Sequence, residues 1–270
     1  MLLYALYIMG TTMKENSVIQ NKDNTRELNE FSHDKYDEVW EQGIWSDYRY
    51  ESPYNLHRIR LLAKLVKKYD SSGNASIVDA GAGNGMLLER IYNSHRELYA
   101  YDFSESALKL ISNKMGNKVE CKMVDLTDDS TIPPQKFDMV ISAITLEHIV
   151  DDCKAIQNLS RLLLSDGVLI VQVPYSMHLW TKWDNLRGHV RRYEKGELER
   201  KLSYSGLKVV ENFLWGIPFT VFHDSLFRNL QEHRRLYMLY SKLYYIPSFI
   251  DELFKNNIFG VLQFTVAKFK

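Results

Sequence analysis

The sequence predicts an α/β fold, a doubly wound and mostly parallel sheet of seven strands. Three observations predict it: short apolar runs alternate with helical patterns, a glycine-rich turn follows the first run, and no repeat or low-complexity linker divides the chain. The composition agrees, since 45% of the 270 residues are hydrophobic and 25% are charged. Such usage is typical of a globular protein and excludes a fibrous or wholly disordered chain.

The elements follow one another in a regular order. We predict strands at 77–80, 98–101, 118–124, 137–142, 168–173, 207–214 and 261–269. Helical patterns cover 54–69, 86–93, 106–114, 153–164 and 194–206. Successive strand–helix–strand units wind in one hand, so they predict parallel strands with helices on both faces of the sheet.

The first predicted strand runs into the segment DAGAGNG at 79–85, which opens a helix. Its glycines permit positive φ angles and let the backbone approach a ligand closely, although close packing alone is the alternative. A dinucleotide fingerprint would need GxGxxG, but Met86 occupies the place of the third glycine. Asp102 ends the next strand, where its carboxylate can accept hydrogen bonds from both hydroxyls of a ribose. The pattern predicts a ribose-bearing ligand.

Charge and cysteine usage exclude several classes of protein. Lys plus Arg and Asp plus Glu both number 34, so no net positive field attracts nucleic acid. The two cysteines form no CxxC, and the histidines are not clustered along the sequence. We therefore predict neither a disulfide framework nor a metal site, and a cytoplasmic location.

Residues 77–174 resemble a class I S-adenosylmethionine-dependent methyltransferase in five motifs that stand in the family's order. The motifs are VDAGAGNG, YAYDFS, CKMVDL, FDMVISAITLEH and LLLSDGVLIVQVP. The resemblance implies a Rossmann-like fold whose last strand is antiparallel. It also implies S-adenosyl-L-methionine as the cofactor and methyl transfer as the activity.

The resemblance also implies which residues bind the cofactor. The glycine loop would contact the methionine part, Asp102 the ribose and Asp125 the adenine amino group. Alternatively, Asp79 orders the glycine loop by hydrogen bonding, and Asp125 caps a turn. The full predicted set is Asp79, Gly81, Ala82, Gly83, Gly85, Asp102, Phe103, Asp125, Leu126 and Ala143.

The acceptor should bind beyond the carboxyl ends of the strands. The stretch 175–193 is long and aromatic, and its end, GHVRRY, resembles the GHxRRY loop of small-molecule methyltransferases. His189 and His148 are the candidate general bases because imidazole titrates near neutrality; the alternative is that neither acts as a base. We predict substrate contacts for Tyr36, Trp45, Arg191, Arg192 and Tyr193.

The segment 216–259 mixes Tyr, Phe and Leu with basic residues such as Arg234 and Arg235. That mixture is typical of a membrane interface or a lipid-like substrate, while packing into the body or into a homodimer is the alternative. We therefore expect a small-molecule or lipid-linked acceptor, no nucleic-acid partner, and a cytoplasmic or peripheral membrane location.

Together these patterns predict a poorly ordered tail at 1–30 and a single methyltransferase domain at 31–270. Its parts are an N-terminal helical lid (31–70), a cofactor-binding core (71–175), a substrate loop (176–200) and a helical insertion before the last strand (216–259). We predict O-methylation. The alternatives are N-methylation and a catalytically silent protein that binds the cofactor or its demethylated product.

Overall fold

The computed structural model describes residues 33–41, 52–217, 219–220, 234–254 and 258–270. The tail predicted at 1–30 lies outside these ranges. Seven strands of the described part form one sheet in the order β3-β2-β1-β4-β5-β7-β6. The strands are β1 Ser76–Ala80, β2 Glu97–Asp102, β3 Glu120–Met123, β4 Phe137–Ala143, β5 Leu163–Pro174, β6 Leu207–Trp215 and β7 Leu262–Phe269.

Strand directions confirm the predicted mostly parallel sheet with an antiparallel last strand. β7 runs antiparallel to both of its neighbours, β5 and β6. The pairs β1–β2, β1–β4, β2–β3 and β4–β5 are parallel. The chain order reverses around β1 and β4, which creates the crevice where ligands of such sheets bind.

Helices cover both faces of the sheet, as the alternation of strand residues requires. They are α1 His33–Glu41, α2 Pro53–Tyr69, α3 Met86–Ile91, α4 Glu105–Met115, α5 Asp152–Arg161, α6 Lys182–Leu186, α7 Glu197–Tyr204 and α8 Arg234–Ser248. Ile77 packs in a core with Leu62 and Leu88 from α2 and α3, whereas the next residue, Val78, packs in a second core with Leu159 from α5. Successive residues of a strand point to opposite faces, so a strand covered on both sides is apolar throughout.

The largest difference from the predicted boundaries lies between α5 and β5, where β5 begins five residues earlier than predicted. The helix predicted at 153–164 ends at Arg161, and β5 begins at Leu163, where it pairs with Phe137. Gly167 lies inside this strand, next to a register shift between Phe137 and Met139. A Cβ at Gly167 would lie 3.0 Å from the carbonyl oxygens of Leu164 and Phe137, so glycine here relieves a crowded strand.

The predicted N-terminal helical lid (31–70) contains α1 and α2, and the predicted helical insertion (216–259) contains α8. Cys121 and Cys153 are both free thiols. Among the described helices, none is both long and apolar enough to cross a bilayer.

Candidate active site

The glycine loop leaves β1 at its carboxyl end and bends sharply before α3. Gly81, Gly83 and Gly85 have φ angles of +85°, +54° and +76°, a region that side chains rarely adopt. A Cβ at Gly81 would lie only 2.2 Å from the Thr145 hydroxyl oxygen, in the segment that follows β4. The loop therefore forms a cradle, a concave surface of backbone without side chains. Thr145, which follows β4, packs against its first glycine, Gly81.

Asp102 ties this loop to the start of α4. Its Oδ2 accepts a hydrogen bond from the Gly83 N–H at 2.8 Å, and its Oδ1 accepts one from the Ser104 N–H at 2.9 Å. Burial raises the pKa of Asp102, and these backbone donors oppose that rise. Each carboxylate oxygen retains a second lone pair, so the predicted acceptance of ribose hydroxyls is compatible with both bonds.

Asp79 lies buried beneath the loop, and its Oδ1 has no hydrogen-bond partner among the described residues. Burial raises the pKa of its carboxyl to about 8, the negative charge of Asp102 adds to the rise, and the Arg58 guanidinium opposes it. Arg58 is itself buried, on α2, where it donates to the Gln172 side-chain oxygen at 3.2 Å. A buried acid beside a buried cation fits the ammonium and carboxylate ends of an amino acid.

Binding of S-adenosylmethionine at pH 7 should release a proton from Asp79. In the free protein the Asp79 carboxyl is protonated below about pH 8. A bound cationic ligand favours the ionised carboxylate and so lowers the pKa of Asp79. We expect the affinity to rise between pH 6.5 and 8 and the measured binding enthalpy to depend on the buffer's ionisation enthalpy. Calorimetry in phosphate and Tris checks this. Asp79→Asn is the control and should give equal measured enthalpies in the two buffers. Equal measured enthalpies for the wild type as well would contradict the prediction.

The remaining predicted cofactor residues divide into two groups. Asp125 Oδ1 accepts hydrogen bonds from the Thr127 N–H and hydroxyl, both at 2.7 Å, so this oxygen caps a turn, as the alternative held. Leu126 packs its side chain in the core and its carbonyl accepts a bond from Asn158, so any contact with the cofactor through its N–H stays a prediction. Ala82, Phe103 and Ala143 stand at the strand ends that border the crevice.

Helix α1 lies over the glycine loop. The Trp40 ring is 3.2 Å from the position that a Cβ would take at Gly83. Asp37 accepts hydrogen bonds from the Ser104 hydroxyl and from the Ser106 N–H, at the start of α4. Tyr36 sets its ring at right angles to Phe103, with ring centroids 5.5 Å apart. Trp45, a predicted substrate contact, lies outside the described residues.

A cluster of acid and imidazole groups stands where β4 ends. Ile144 has a φ of +59°, a strained conformation for a β-branched residue, and the turn Leu146–His148 follows. The ring centroids of His148 and His189 are 4.7 Å apart, and His189 Nε2 is 4.0 Å from Glu147 Oε1. Tyr36 borders the cluster, with its ring centroid 5.9 Å from that of His148. The structure thus brings together both predicted bases and adds Glu147, which sequence reasoning missed although it adjoins His148.

Burial sets the protonation of this cluster. It raises the pKa of Glu147 to about 8, and it lowers the pKa of His148 well below its usual value, helped by the nearby His189. Burial also lowers the pKa of His189, although the hydrogen bond to Asp184 opposes this. Both imidazoles are therefore neutral at pH 7, the form that accepts a proton.

Asp184 orients the His189 ring through its Nδ1, the nitrogen that faces away from the cluster. Its Oδ1 lies 2.9 Å from His189 Nδ1, and its Oδ2 accepts the Thr181 N–H at 2.7 Å in a capping box of α6. Burial alone would raise the pKa of Asp184, but the bonds from His189 and Arg192 hold it well below its usual range. An ionised carboxylate can only accept, so His189 Nδ1 carries the hydrogen and Nε2 presents a lone pair to the cluster.

Three predicted substrate contacts have partners within the protein, and their contact with an acceptor stays a prediction. Arg192 donates two hydrogen bonds to Asp184, at 2.7 and 3.0 Å. Arg191 pairs with Asp152 at 2.9 Å, and the buried Tyr193 donates its hydroxyl to the same carboxylate at 2.6 Å. These bonds help to fix the loop that carries His189.

Comparison with known proteins places this geometry in a family. A family model described as "Methyltransferase domain" matches residues 54–212, more than half of the chain. The ubiquinone biosynthesis O-methyltransferase of Nitrosomonas europaea is 30% identical over 95 residues, which cover 34% of this chain and 40% of that protein. The matches span only 40% to 50% of the length of the first curated relatives.

Solved structures share the fold. The N-methyltransferase NodS from Bradyrhizobium japonicum, in complex with S-adenosyl-L-homocysteine, has a TM-score of 0.54 at 19% identity, covering 69% of this chain and 93% of that chain. The magnesium protoporphyrin IX methyltransferase of Synechocystis, with bound SAH, has a TM-score of 0.52 at 19% identity, covering 67% and 90%. The matched family model, the ordered motifs and the glycine cradle agree: the chain belongs to the class I S-adenosyl-L-methionine-dependent methyltransferases.

Proposed function

We propose that this protein transfers the methyl group of S-adenosyl-L-methionine to a hydroxyl oxygen of a small or lipid-linked acceptor. The observation that carries the proposal is the buried Asp184–His189 pair, which aims an unprotonated nitrogen at the carboxyl end of β4. A hydroxyl must lose its proton as it attacks, whereas a neutral amine attacks without a base. The similarity to an O-methyltransferase supports the same choice.

The residues of the crevice fit the cofactor. The glycine loop, with its positive φ angles, offers bare backbone to the methionine part, Asp102 suits the ribose, and the orphaned Asp79 oxygen suits a cation. When bound, S-adenosylmethionine supplies a methyl group already activated on a sulfonium. The protein then has to align the acceptor oxygen with the methyl carbon and exclude water, and alignment alone can supply roughly 7–11 kcal/mol.

In this proposal His189 is the general base. Its Nε2 accepts the hydrogen bond of the acceptor hydroxyl and then its proton, while Asp184 stabilises the imidazolium that forms. Glu147 borders the same site, with its Oε1 4.0 Å from His189 Nε2. Tyr36 on α1 covers the cluster, which keeps water from competing for the methyl group.

A labelling experiment tests the reaction. The purified protein is incubated with S-adenosylmethionine carrying a deuterated methyl group and with the organic and aqueous phases of a deproteinised extract of the source organism. We expect label in a compound whose methyl group resists mild base, as an aryl or alkyl ether does and a methyl ester does not. Label found only in methylamines, or cofactor binding without any labelled product, would contradict O-methylation.

The exposed face of α8 supports a lipid-linked acceptor at a membrane surface. Leu236, Leu239 and Leu243 follow helical spacing and are 54%, 59% and 64% exposed, while Tyr237 on another side of the helix is buried. Arg235 and Lys242 are exposed on the same helix. Leucines flanked by cations match an anionic bilayer, where the apolar groups insert and the cations meet the headgroups.

The protein should therefore sediment with vesicles of phosphatidylcholine and phosphatidylglycerol (about 7:3) at low salt, and less at high salt because salt screens the charges. Leu239→Glu and Arg235→Glu should each reduce the sedimented fraction. Tyr204→Glu is the matched control, since Tyr204 is highly exposed on α7. Protein that stays in the supernatant at low salt would overturn the membrane contact and favour a soluble acceptor.

A further inference from the structure

We propose that Glu147, His148 and His189 form a binding site for a divalent transition-metal cation such as Zn²⁺ or Mn²⁺. The proposal rests on the proposed function, because it assigns a ligand to the same cluster. The sequence predicts no metal site, because its histidines are not clustered along the chain; the fold brings His189 to Glu147 and His148.

The distances suit a single ion. One ligand atom from each of the three residues lies within 4.8 Å of the other two. Zn²⁺ takes histidine nitrogen and carboxylate oxygen at roughly 2.0–2.2 Å, so its ligands stand roughly 3.5 Å apart. A side-chain adjustment of about 1 Å closes the cluster around a cation.

A second and independent observation is the set of polar atoms left without partners. Both carboxylate oxygens of Glu147, Nε2 of His189 and Nδ1 of His148 are buried and bond to nothing in the described part of the chain. Glu147 is fully buried, and only 6% of the His189 side chain is exposed. Unpaired polar atoms are costly in a protein interior, and four in one place indicate a missing ligand with positive charge.

The surroundings of His189 match those of a metal-bound histidine. Its Nδ1 bonds to Asp184, which the Arg192 guanidinium holds in turn. Histidines that bind metals usually donate their second nitrogen to a carboxylate in this way, which fixes the tautomer and the direction of the free lone pair.

The ligand set also indicates the class of cation. Two imidazoles and one carboxylate suit Zn²⁺, Mn²⁺ or Fe²⁺ better than Ca²⁺ or Mg²⁺, which prefer oxygen ligands. Three protein ligands leave an open position for the acceptor hydroxyl, whose acidity the cation would increase. With a cation bound, His189 Nε2 would be a ligand and would not act as the base that it is in the cation-free protein. The acidified hydroxyl would give up its proton to water as it binds the cation, and the oxygen–carbon bond would then form as the sulfur–carbon bond breaks.

Direct cation binding tests the inference. Protein stripped with a chelator and returned to chelator-free buffer is titrated with Zn²⁺ by calorimetry and with Mn²⁺ by electron paramagnetic resonance. We expect one equivalent to bind, with at least tenfold weaker binding in Glu147→Gln and in His189→Ala. Asp184→Asn should weaken binding roughly 10–100-fold although it touches no cation. The matched controls are Glu105→Gln and His95→Ala, which change exposed residues.

Circular dichroism and binding of S-adenosylhomocysteine establish that each variant is folded. Failure of the wild type to bind either cation, or equal binding by wild type and Glu147→Gln, would overturn the inference and leave a cluster filled by water only. The proposed function fails separately: methyl transfer to oxygen by cation-free protein would support it even without a metal, whereas transfer only to nitrogen would refute it even with one.

Discussion

Replacing Asp102 with Ala should weaken the binding of S-adenosylhomocysteine by roughly 10²–10⁴-fold. The carboxylate would lose its bonds to the ribose, each worth roughly 1.5–3 kcal/mol when the acceptor is charged. The substitution would also leave the Gly83 N–H without its acceptor, because that N–H donates to the Asp102 carboxylate at 2.8 Å. The glycine loop would therefore lose order as well. Calorimetry with S-adenosylhomocysteine measures the loss.

Two further variants separate these effects. Asp102→Asn keeps the size of the side chain but replaces one acceptor oxygen with a donor, and thermal unfolding reports whether the loop has been disturbed. Glu105→Gln changes an exposed acid three residues later, on α4, and should bind as the wild type does. An unchanged dissociation constant in Asp102→Ala would remove the ribose assignment.

Replacing His189 with Ala should lower kcat by roughly 10²–10⁴-fold, the usual contribution of a positioned general base. Binding of S-adenosylhomocysteine should stay within about twofold, because the glycine loop lies at the end of a different strand. The assay follows S-adenosylhomocysteine release with the acceptor fraction found by labelling, in cation-free buffer and again with added Zn²⁺.

Asp184→Asn tests the orientation of His189. An amide nitrogen facing Nδ1 would favour the opposite tautomer, which places the hydrogen on Nε2 and removes the acceptor lone pair. We expect a fall in kcat without a comparable change in cofactor affinity. His95→Ala is the control, since His95 lies exposed far along the chain from the cluster. Wild-type kcat in both His189→Ala and Asp184→Asn would exclude His189 as the base.

Local patterns in the sequence determined the strands, the cradle and the position of Asp102. Strands such as β1 and β4 carry the continuous apolar runs 77–78 and 139–141 because both faces of the sheet are covered, and these runs are visible in the sequence alone. The sequence alone predicted the turn at Gly81, Gly83 and Gly85, because glycine adopts a positive φ without help from distant residues. The antiparallel direction of β7 came from the resemblance to a family rather than from periodicity.

Only the tertiary structure decided which polar groups meet. Glu147 and His189 lie 42 positions apart in the sequence, yet they meet because they follow β4 and β5, which are neighbouring parallel strands with their carboxyl ends at one edge. From the sequence we predicted that Arg192 and Tyr193 contact the substrate, because their residue types suit that role. In the folded protein Arg192 donates to Asp184, and Tyr193 donates to Asp152. Backbone conformation and hydrophobic periodicity are short-range properties, whereas the partner of a buried charge depends on which distant segments the sheet brings together.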